Sequence, residues 1–120
     1  MARILAVDDS PSMRQMVSIA LTGAGYEVEQ ASDGVEALAI AQKSRFDLVI
    51  TDVNMPNMDG ITLVRELRGK AGYKFVPLLV LTTEATQERK QQGKAAGATG
   101  WLVKPFNPER LLATIAKVLA

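Results

Sequence analysis

Acidic, hydroxyl and basic side chains terminate several apolar runs of this sequence, and their types suit phosphate and metal chemistry. Asp8 and Asp9 follow one run, Asp52 follows another, Thr82 ends a third and Lys104 follows the last. Three carboxylates brought together repel one another unless shared protons or a bound cation relieve the repulsion. Mg²⁺ takes carboxylates, waters and phosphate oxygens, so this set predicts an oxygen-lined magnesium site beside a hydroxyl and an ammonium.

Each of these residues also has a purely structural interpretation. Asp9 precedes a serine and a proline and could cap a helix, while Asp52 could lie in a turn. Thr82 could be an ordinary strand end and Lys104 a structural counter-ion. Those interpretations do not explain why all of them would lie at the same end of a sheet, with groups for cations beside groups for anions.

Composition excludes several classes of function. The sequence has no Cys and no His, which excludes disulfides, thiol nucleophiles, imidazole bases and zinc sites built from those residues. Lys and Arg number 14 against 13 Asp and Glu, and no stretch collects five or six charges of one sign, so we expect no nucleic-acid partner. The longest apolar run, 75–81, contains Pro77 and is too short to cross a bilayer, so we expect no membrane insertion and a cytoplasmic protein.

The elements that must position these residues alternate between strands and helices along a single domain, 1–120. Short apolar runs at 4–7, 26–31, 48–51, 78–82 and 101–103 are typical of strands. The segments between and after them have helical periodicity, which predicts an α/β fold with five helices around a five-stranded parallel sheet. Run 26–31 alternates between apolar and polar residues, which favours an edge position. The flavodoxin-like, doubly wound order 2-1-3-4-5 satisfies this, with the site beyond the carboxyl ends of the strands.

The predicted helices differ in how strongly they should pack. The first has Met13, Met16, Val17 and Leu21 on one face, and the last has a full apolar stripe after its Asn107 cap. Segment 85–96 has only alanines as apolar residues and a glycine inside it. It is therefore either a weakly anchored helix that can move or an ordinary solvated surface helix.

The acidic pair Asp8-Asp9, segment 52–60, Thr82 and Lys104-Pro105-Phe106 together resemble the receiver domain of two-component response regulators. The resemblance covers essentially the whole chain, and it is strongest to the stand-alone, CheY-like members, which have no output domain. It implies that Asp52 accepts a phosphoryl group from a phosphohistidine on a CheA-like histidine kinase. The chain would then be a signalling domain and not an enzyme, catalysing only its own phosphorylation and dephosphorylation.

The resemblance also implies a role for each residue of the site. The Mg²⁺ ligands would be the Asp9 and Asp52 carboxylates and the backbone carbonyl of Asn54, with Asp8 acting through water. Lys104 and Thr82 would bind phosphoryl oxygens, and the bond before Pro105 would be cis.

Further implied roles concern switching and the lifetime of the phosphorylated state. Thr82 would move toward the phosphoryl group and a ring on the last strand would turn inward. That ring is Trp101 here, where relatives usually carry Tyr. Asn54 and Glu84 lie two residues beyond Asp52 and Thr82, and their polar side chains leave room for an attacking water, which predicts rapid dephosphorylation.

The downstream partner is less determined than the chemistry. We expect a monomer whose contact surface is the face of the fourth helix, fifth strand and fifth helix, with Glu88, Arg89, Trp101 and Lys117 on it. The flagellar switch protein FliM is the leading candidate partner, which would place the chain in chemotaxis, while a phosphorelay shuttle or a phosphate sink would look alike in sequence.

A haloacid-dehalogenase-like Mg²⁺ phosphatase, a nucleotide or flavin binder and a pseudo-receiver scaffold are weaker alternatives. The phosphatase would need an Asp-x-Asp-x-Thr motif and the nucleotide binder a glycine-rich loop, and the sequence has neither.

Overall fold

A computed structural model describes residues 2–120 and contains one parallel sheet with helices on both faces. The strands are β1 (Arg3–Val7), β2 (Glu27–Ala31), β3 (Leu48–Thr51), β4 (Leu78–Thr82) and β5 (Gly100–Val103). The helices are α1 (Pro11–Gly23), α2 (Gly34–Lys43), α3 (Gly60–Arg68), α4 (Gln87–Ala96) and α5 (Pro108–Leu119), with a short 3-10 turn at Ala71–Tyr73. The strand order is β2-β1-β3-β4-β5, which confirms the predicted fold class and the predicted order.

The two faces of the sheet bury two separate apolar clusters, because successive side chains of a strand point to opposite sides. In β4, Leu78 and Val80 pack on the face that α2 and α3 cover, whereas Leu79 and Leu81 pack on the face that α1 and α5 cover. The central strands β3 and β4 are therefore buried at every position, and their sequences are apolar up to a final threonine and show no alternation.

Strand β2 lies at an edge, as its alternating pattern predicted. Its pairing with β1 aligns Arg3 with Glu27 and Val7 with Ala31. Glu27, Glu29 and Gln30 are exposed, and Glu29 forms a 3.2 Å ion pair with Arg3. Charged side chains of this kind limit the pairing of an open edge with a second sheet.

Helix α1 differs from the prediction at one position. Val17 and Leu21 are buried, but Met16 is 55% exposed and does not belong to the packed face. A helix that covers a sheet buries a narrow stripe, and Met16 lies beside that stripe. Among residues 2–120, no helix has the length and apolar character needed to cross a membrane.

Candidate functional site

The candidate residues lie together at the carboxyl edge of the sheet, the edge where all five parallel strands end. Backbone hydrogen bonds continue the sheet ladder into this edge and hold the residues in place. The Asp8 N–H donates to Ala31 at 3.1 Å, the Asp52 N–H to Val7 at 2.9 Å, and the Lys104 N–H to Thr82 at 2.7 Å. The fold therefore brings together residues that are far apart along the chain.

The Asp52 carboxylate is buried, oriented by two donors, and only 9% of the residue is exposed. Its Oδ1 accepts the Val53 N–H at 2.6 Å and its Oδ2 accepts the Lys104 ammonium at 3.0 Å. The backbone beneath it is crowded, because a Cβ built on Gly60 would overlap the Asp52 carbonyl oxygen. Gly60 therefore positions Asp52, a role that the sequence analysis did not identify. The signal in the sequence was the presence of a glycine at the end of segment 52–60.

Lys104 joins two of the carboxylates through one ammonium group. Its Nζ donates to Asp8 Oδ2 at 2.6 Å as well as to Asp52 Oδ2. Burial by itself lowers the pKa of Lys104, but the hydrogen bonds and charges of Asp8 and Asp52 outweigh it and raise the pKa above its ordinary value. Lys104 is therefore protonated and positively charged at neutral pH. The peptide bond between Lys104 and Pro105 is cis.

Three carboxylates can share one ion at this edge. Asp8, Asp9 and Asp52 each offer an oxygen, and these oxygens all lie within 4.8 Å of one another. Asp9 is exposed and does not cap α1, since Ser10 Oγ accepts the Met13 N–H at 3.3 Å in that role. The donor set consists only of oxygen and is partly open to solvent, so it fits a small hard cation such as Mg²⁺.

Asp8 is held differently from Asp9. Its Oδ1 accepts the Ser10 N–H at 2.9 Å, and Arg14 donates to its backbone carbonyl at 2.7 Å. Both oxygens of Asp8 therefore have protein donors, one of them the Lys104 ammonium. This arrangement leaves Asp9 as the carboxylate that faces solvent.

A chain of contacts links the site to β5 and α4 through the backbone of one residue, Glu84. The Glu84 N–H donates to Thr82 Oγ1 at 3.2 Å, and the Trp101 indole N–H donates to the Glu84 carbonyl oxygen at 2.9 Å. The half-buried Trp101 ring packs against Gly93 of α4, where a Cβ would lie 2.6 Å from Trp101 Cζ3. The contact gives Gly93 a packing role that the sequence pattern did not reveal.

The remaining predicted residues surround this edge or form the adjoining face. Asn54 is exposed in the loop after β3, and Glu84 is half-buried in the loop after β4. Glu88 and Lys117 are exposed on α4 and α5, and Arg89 is half-buried on α4. Strand β5 is the second edge strand, and its residues are only partly covered.

Comparison with known proteins agrees with this geometry. The family model described as response regulator receiver domain matches residues 4–116. The solved structure of the chemotaxis protein CheY4 of Vibrio cholerae is 64% identical, with a TM-score of 0.95 and coverage of 98% of both chains.

Two other similarities bear on length and on the metal. The DNA-binding dual master transcriptional regulator RpaA of Synechocystis is 40% identical over 119 residues; the match covers 99% of this chain and 49% of that protein. The receiver domain of the Pseudomonas aeruginosa sensor histidine kinase PA1611 is 30% identical, with a TM-score of 0.92 and coverage of 98% of this chain and 97% of that chain. That structure has a magnesium ion coordinated in its active site cleft.

Proposed function

This chain belongs to the response regulator receiver domain family, and from that membership we propose that Asp52 accepts a phosphoryl group from the phosphohistidine of a partner kinase. An Asp52 carboxylate oxygen bonds to phosphorus while the P–N bond breaks, and the imidazole nitrogen keeps the electron pair. The product is an aspartyl phosphate, a mixed anhydride that water readily hydrolyses. The observation that carries the proposal is the pairing of a buried, oriented Asp52 with the Lys104 ammonium.

Lys104 and Thr82 bind the negatively charged oxygens of the incoming phosphoryl group. Lys104 already contacts Asp52 Oδ2 at 3.0 Å, so its ammonium is in place before the new oxygens arrive. Thr82 Oγ1 accepts the Glu84 N–H, which leaves its own proton free to be donated to a phosphoryl oxygen. Groups that are positioned before the reaction stabilise developing charge at little reorganisation cost.

The carboxylate cluster would hold Mg²⁺ through Asp9, Asp52 and the backbone carbonyl of Asn54, with Asp8 acting through water. When bound, the ion neutralises charge on the transferring group and holds it in line. Asp8 contributes in a second way, because its ion pair fixes the position of the Lys104 ammonium.

The output of the chain is a change in partner binding and not the turnover of a substrate. When Thr82 turns toward the phosphoryl group, its bond to the Glu84 N–H is lost, and the carbonyl of the same residue accepts the Trp101 indole N–H. The phosphoryl group thereby shifts the equilibrium between two conformations of the face formed by α4, β5 and α5. Similarity to a chemotaxis protein supports a cytoplasmic role in chemotaxis, with a CheA-like kinase as donor and a flagellar switch protein such as FliM as the target.

The phosphoacceptor is tested by intact mass after incubation with Mg²⁺ and acetyl phosphate. We expect the wild type to gain the mass of one phosphoryl group, and EDTA or Asp52→Asn to prevent the gain. Asp47→Asn is the matched control, because Asp47 is an exposed carboxylate at the other edge of the sheet. Equal uptake by Asp52→Asn would contradict the proposal, and steady release of phosphate from unrelated esters would indicate a phosphatase.

The lifetime of the phosphorylated state is tested at the two polar neighbours of the site. Asn54 is exposed and Glu84 is half-buried, so water reaches both. We expect Asn54→Arg and Glu84→His to slow dephosphorylation by filling the space that water needs. Unchanged dephosphorylation in both variants would show that these positions do not set the lifetime.

A further inference from the structure

The amino edge of the sheet, opposite the phosphoryl site, carries an exposed aromatic ring with one lysine over it and further cations along two adjoining grooves. We call this surface the basal patch; it consists of Lys43, Arg45, Lys70, Lys74 and Phe75. We propose that the basal patch docks an acidic segment of a protein partner that carries an apolar anchor, and that this docking is independent of phosphorylation.

Phe75 is the apolar centre of the basal patch, and its exposure is unusual beside that of a neighbouring phenylalanine. Phe75 is 89% exposed, whereas Phe46, which precedes β3 at the same edge, is 3% exposed. The guanidinium of Arg3 covers Phe46, with Cζ lying 4.9 Å from the ring centroid. Within residues 2–120, the cation over the Phe75 ring is that of Lys74, with Nζ at 5.9 Å from the ring centroid. Aromatic rings are the residues that interfaces most often use as anchors.

The loop that presents Phe75 is held in one conformation by Arg68. This half-buried guanidinium donates to the carbonyl oxygens of Tyr73 and Val76 at 2.7 Å each, on both sides of Phe75. It also donates to Gly97 at 2.9 Å, which ties the loop to the end of α4. A side chain on an ordered loop costs less entropy to bind than one on a mobile loop. The exposed Phe75 side chain therefore lies on an ordered loop before any partner binds.

Two grooves adjoin the basal patch and share Arg45 between them. One has a volume of about 340 Å³ and includes Lys43, Arg45 and Lys70 in its lining, with no carboxylate. The other has a volume of about 470 Å³ and includes Phe75 in its lining together with one carboxylate, Asp47.

One carboxylate, that of Asp47, lines these grooves, and the four cations of the basal patch outnumber it. The Asp47 carboxylate accepts the Arg3 N–H at 2.8 Å. The Tyr73 hydroxyl lies 2.9 Å from the carbonyl oxygens of Ala41 and Ser44, so it satisfies acceptors at the end of α2. The surface therefore offers cations and apolar area, which is complementary to carboxylates around an apolar side chain.

Docking at the basal patch leaves the phosphoryl site free. Phe75 precedes β4, whereas Thr82 ends it, and a five-residue strand separates the two edges by about 16 Å. A partner bound at the amino edge does not cover Asp52 or Lys104. The basal patch thus acts as a tether that holds the chain near a partner in both phosphorylation states.

The test uses a short fluorescein-labelled peptide in which glutamates flank a central Leu-Phe pair, with binding followed by anisotropy. We expect Phe75→Ser to weaken binding by about 30-fold, the effect of losing an aromatic anchor. We expect Lys43→Glu combined with Lys70→Glu to weaken it by about tenfold. Amide shifts of the ¹⁵N-labelled protein should concentrate at the basal patch, and phosphoryl uptake from acetyl phosphate should be unchanged in every variant.

Matched controls lie outside the basal patch. Ile19→Ser removes another exposed apolar side chain, on α1, and Lys90→Glu with Lys94→Glu reverses the same number of charges on α4. Both should leave peptide binding unchanged. A peptide with glutamine in place of glutamate, or with serine in place of the Leu-Phe pair, should bind at least about tenfold more weakly.

Several outcomes would overturn the proposal. One is equal binding by the Phe75→Ser variant, and another is amide shifts concentrated at α1 or α4. Self-association in sedimentation that Phe75→Ser abolishes would identify a second copy of this chain as the occupant. Binding to vesicles of anionic lipid, with none to the acidic peptide, would identify a membrane surface instead.

Discussion

The substitution Gly93→Ala tests whether the Trp101 ring occupies the notch that a glycine leaves in α4. A Cβ at position 93 would lie 2.6 Å from Trp101 Cζ3 and 2.9 Å from Cε3, closer than real contacts allow. The ring must move, and the indole N–H that bonds Glu84 at 2.9 Å moves with it. The added methyl group therefore acts on the contact that links α4 to the loop after Thr82.

The magnitude follows from opposing contributions. Replacing a glycine within a helix stabilises the helix by roughly 0.5–1 kcal/mol. Overpacking a filled contact costs about 1–3 kcal/mol, and losing the indole hydrogen bond costs about 0.5–1.5 kcal/mol. We expect a net loss of about 2 kcal/mol in the free energy of unfolding, because both penalties exceed the helix gain on average.

The assay combines urea unfolding with the emission of Trp101, which is the one tryptophan of the sequence. We expect Gly93→Ala to lower the urea midpoint and to shift the native emission to the red as the ring becomes more exposed. Gly23→Ala is the matched control, because nothing lies within 4 Å of a Cβ at that helical position. Because Gly23 is the last residue of α1, the substitution should raise stability by at most roughly 0.5 kcal/mol, the lower limit for a glycine inside a helix. If Gly93→Ala also raised stability, with unchanged emission, the ring would not occupy the notch.

Three further substitutions, each followed by urea unfolding, test contacts that stabilise the fold. Tyr73→Phe should lower stability by about 1–3 kcal/mol, because it removes the donor to the Ala41 and Ser44 carbonyls, whereas an unchanged midpoint would show that water replaces the hydroxyl. Leu79→Ala should cost about 2–5 kcal/mol, since the side chain is fully buried, and a smaller loss would mean that the core collapses around it. The Glu36 N–H, and after it the Asn57 amide, hold the pKa of Asp33 below its ordinary value of 3.8. The wild type should therefore be more stable than Asp33→Asn above that pH, and this advantage should vanish as the pH falls through the lowered pKa; an advantage that persisted in acid would exclude the carboxylate charge as its source.

The fold was predictable because its signals are local and repeated. Central strands are buried on both faces and are therefore apolar without alternation, and β2 alternates because it lies at an edge. Helix ends carry side chains that accept the first free N–H groups, as Asn107 does for Glu109 at 2.8 Å. Parallel strands then place their carboxyl ends at one edge, so the candidate site followed from the fold.

The details that were not predictable depend on contacts between distant segments. Met16 and Val17 are neighbours of equal apolar character, and only the position of the sheet decides which one is buried. Gly93 looks like a weak point of α4 until the Trp101 ring is placed against it. Phe75 belongs to an apolar run whose pattern does not say which side chains are exposed, and Arg68 holds its loop while the ring faces solvent.

Lys104 links residues at the carboxyl ends of four strands. Lys104 follows β5, its backbone N–H bonds to β4 at Thr82, and its ammonium bonds to carboxylates that follow β1 and β3. Three carboxylates and one ammonium leave two negative charges, which a divalent cation balances. Under the proposed function, a phosphoryl group on Asp52 would change that balance at the carboxylate that Lys104 contacts. We propose that the change reaches Glu84 and the Trp101 indole through the Thr82 hydroxyl, which accepts the Glu84 N–H, and not through the backbone bond between Lys104 and Thr82.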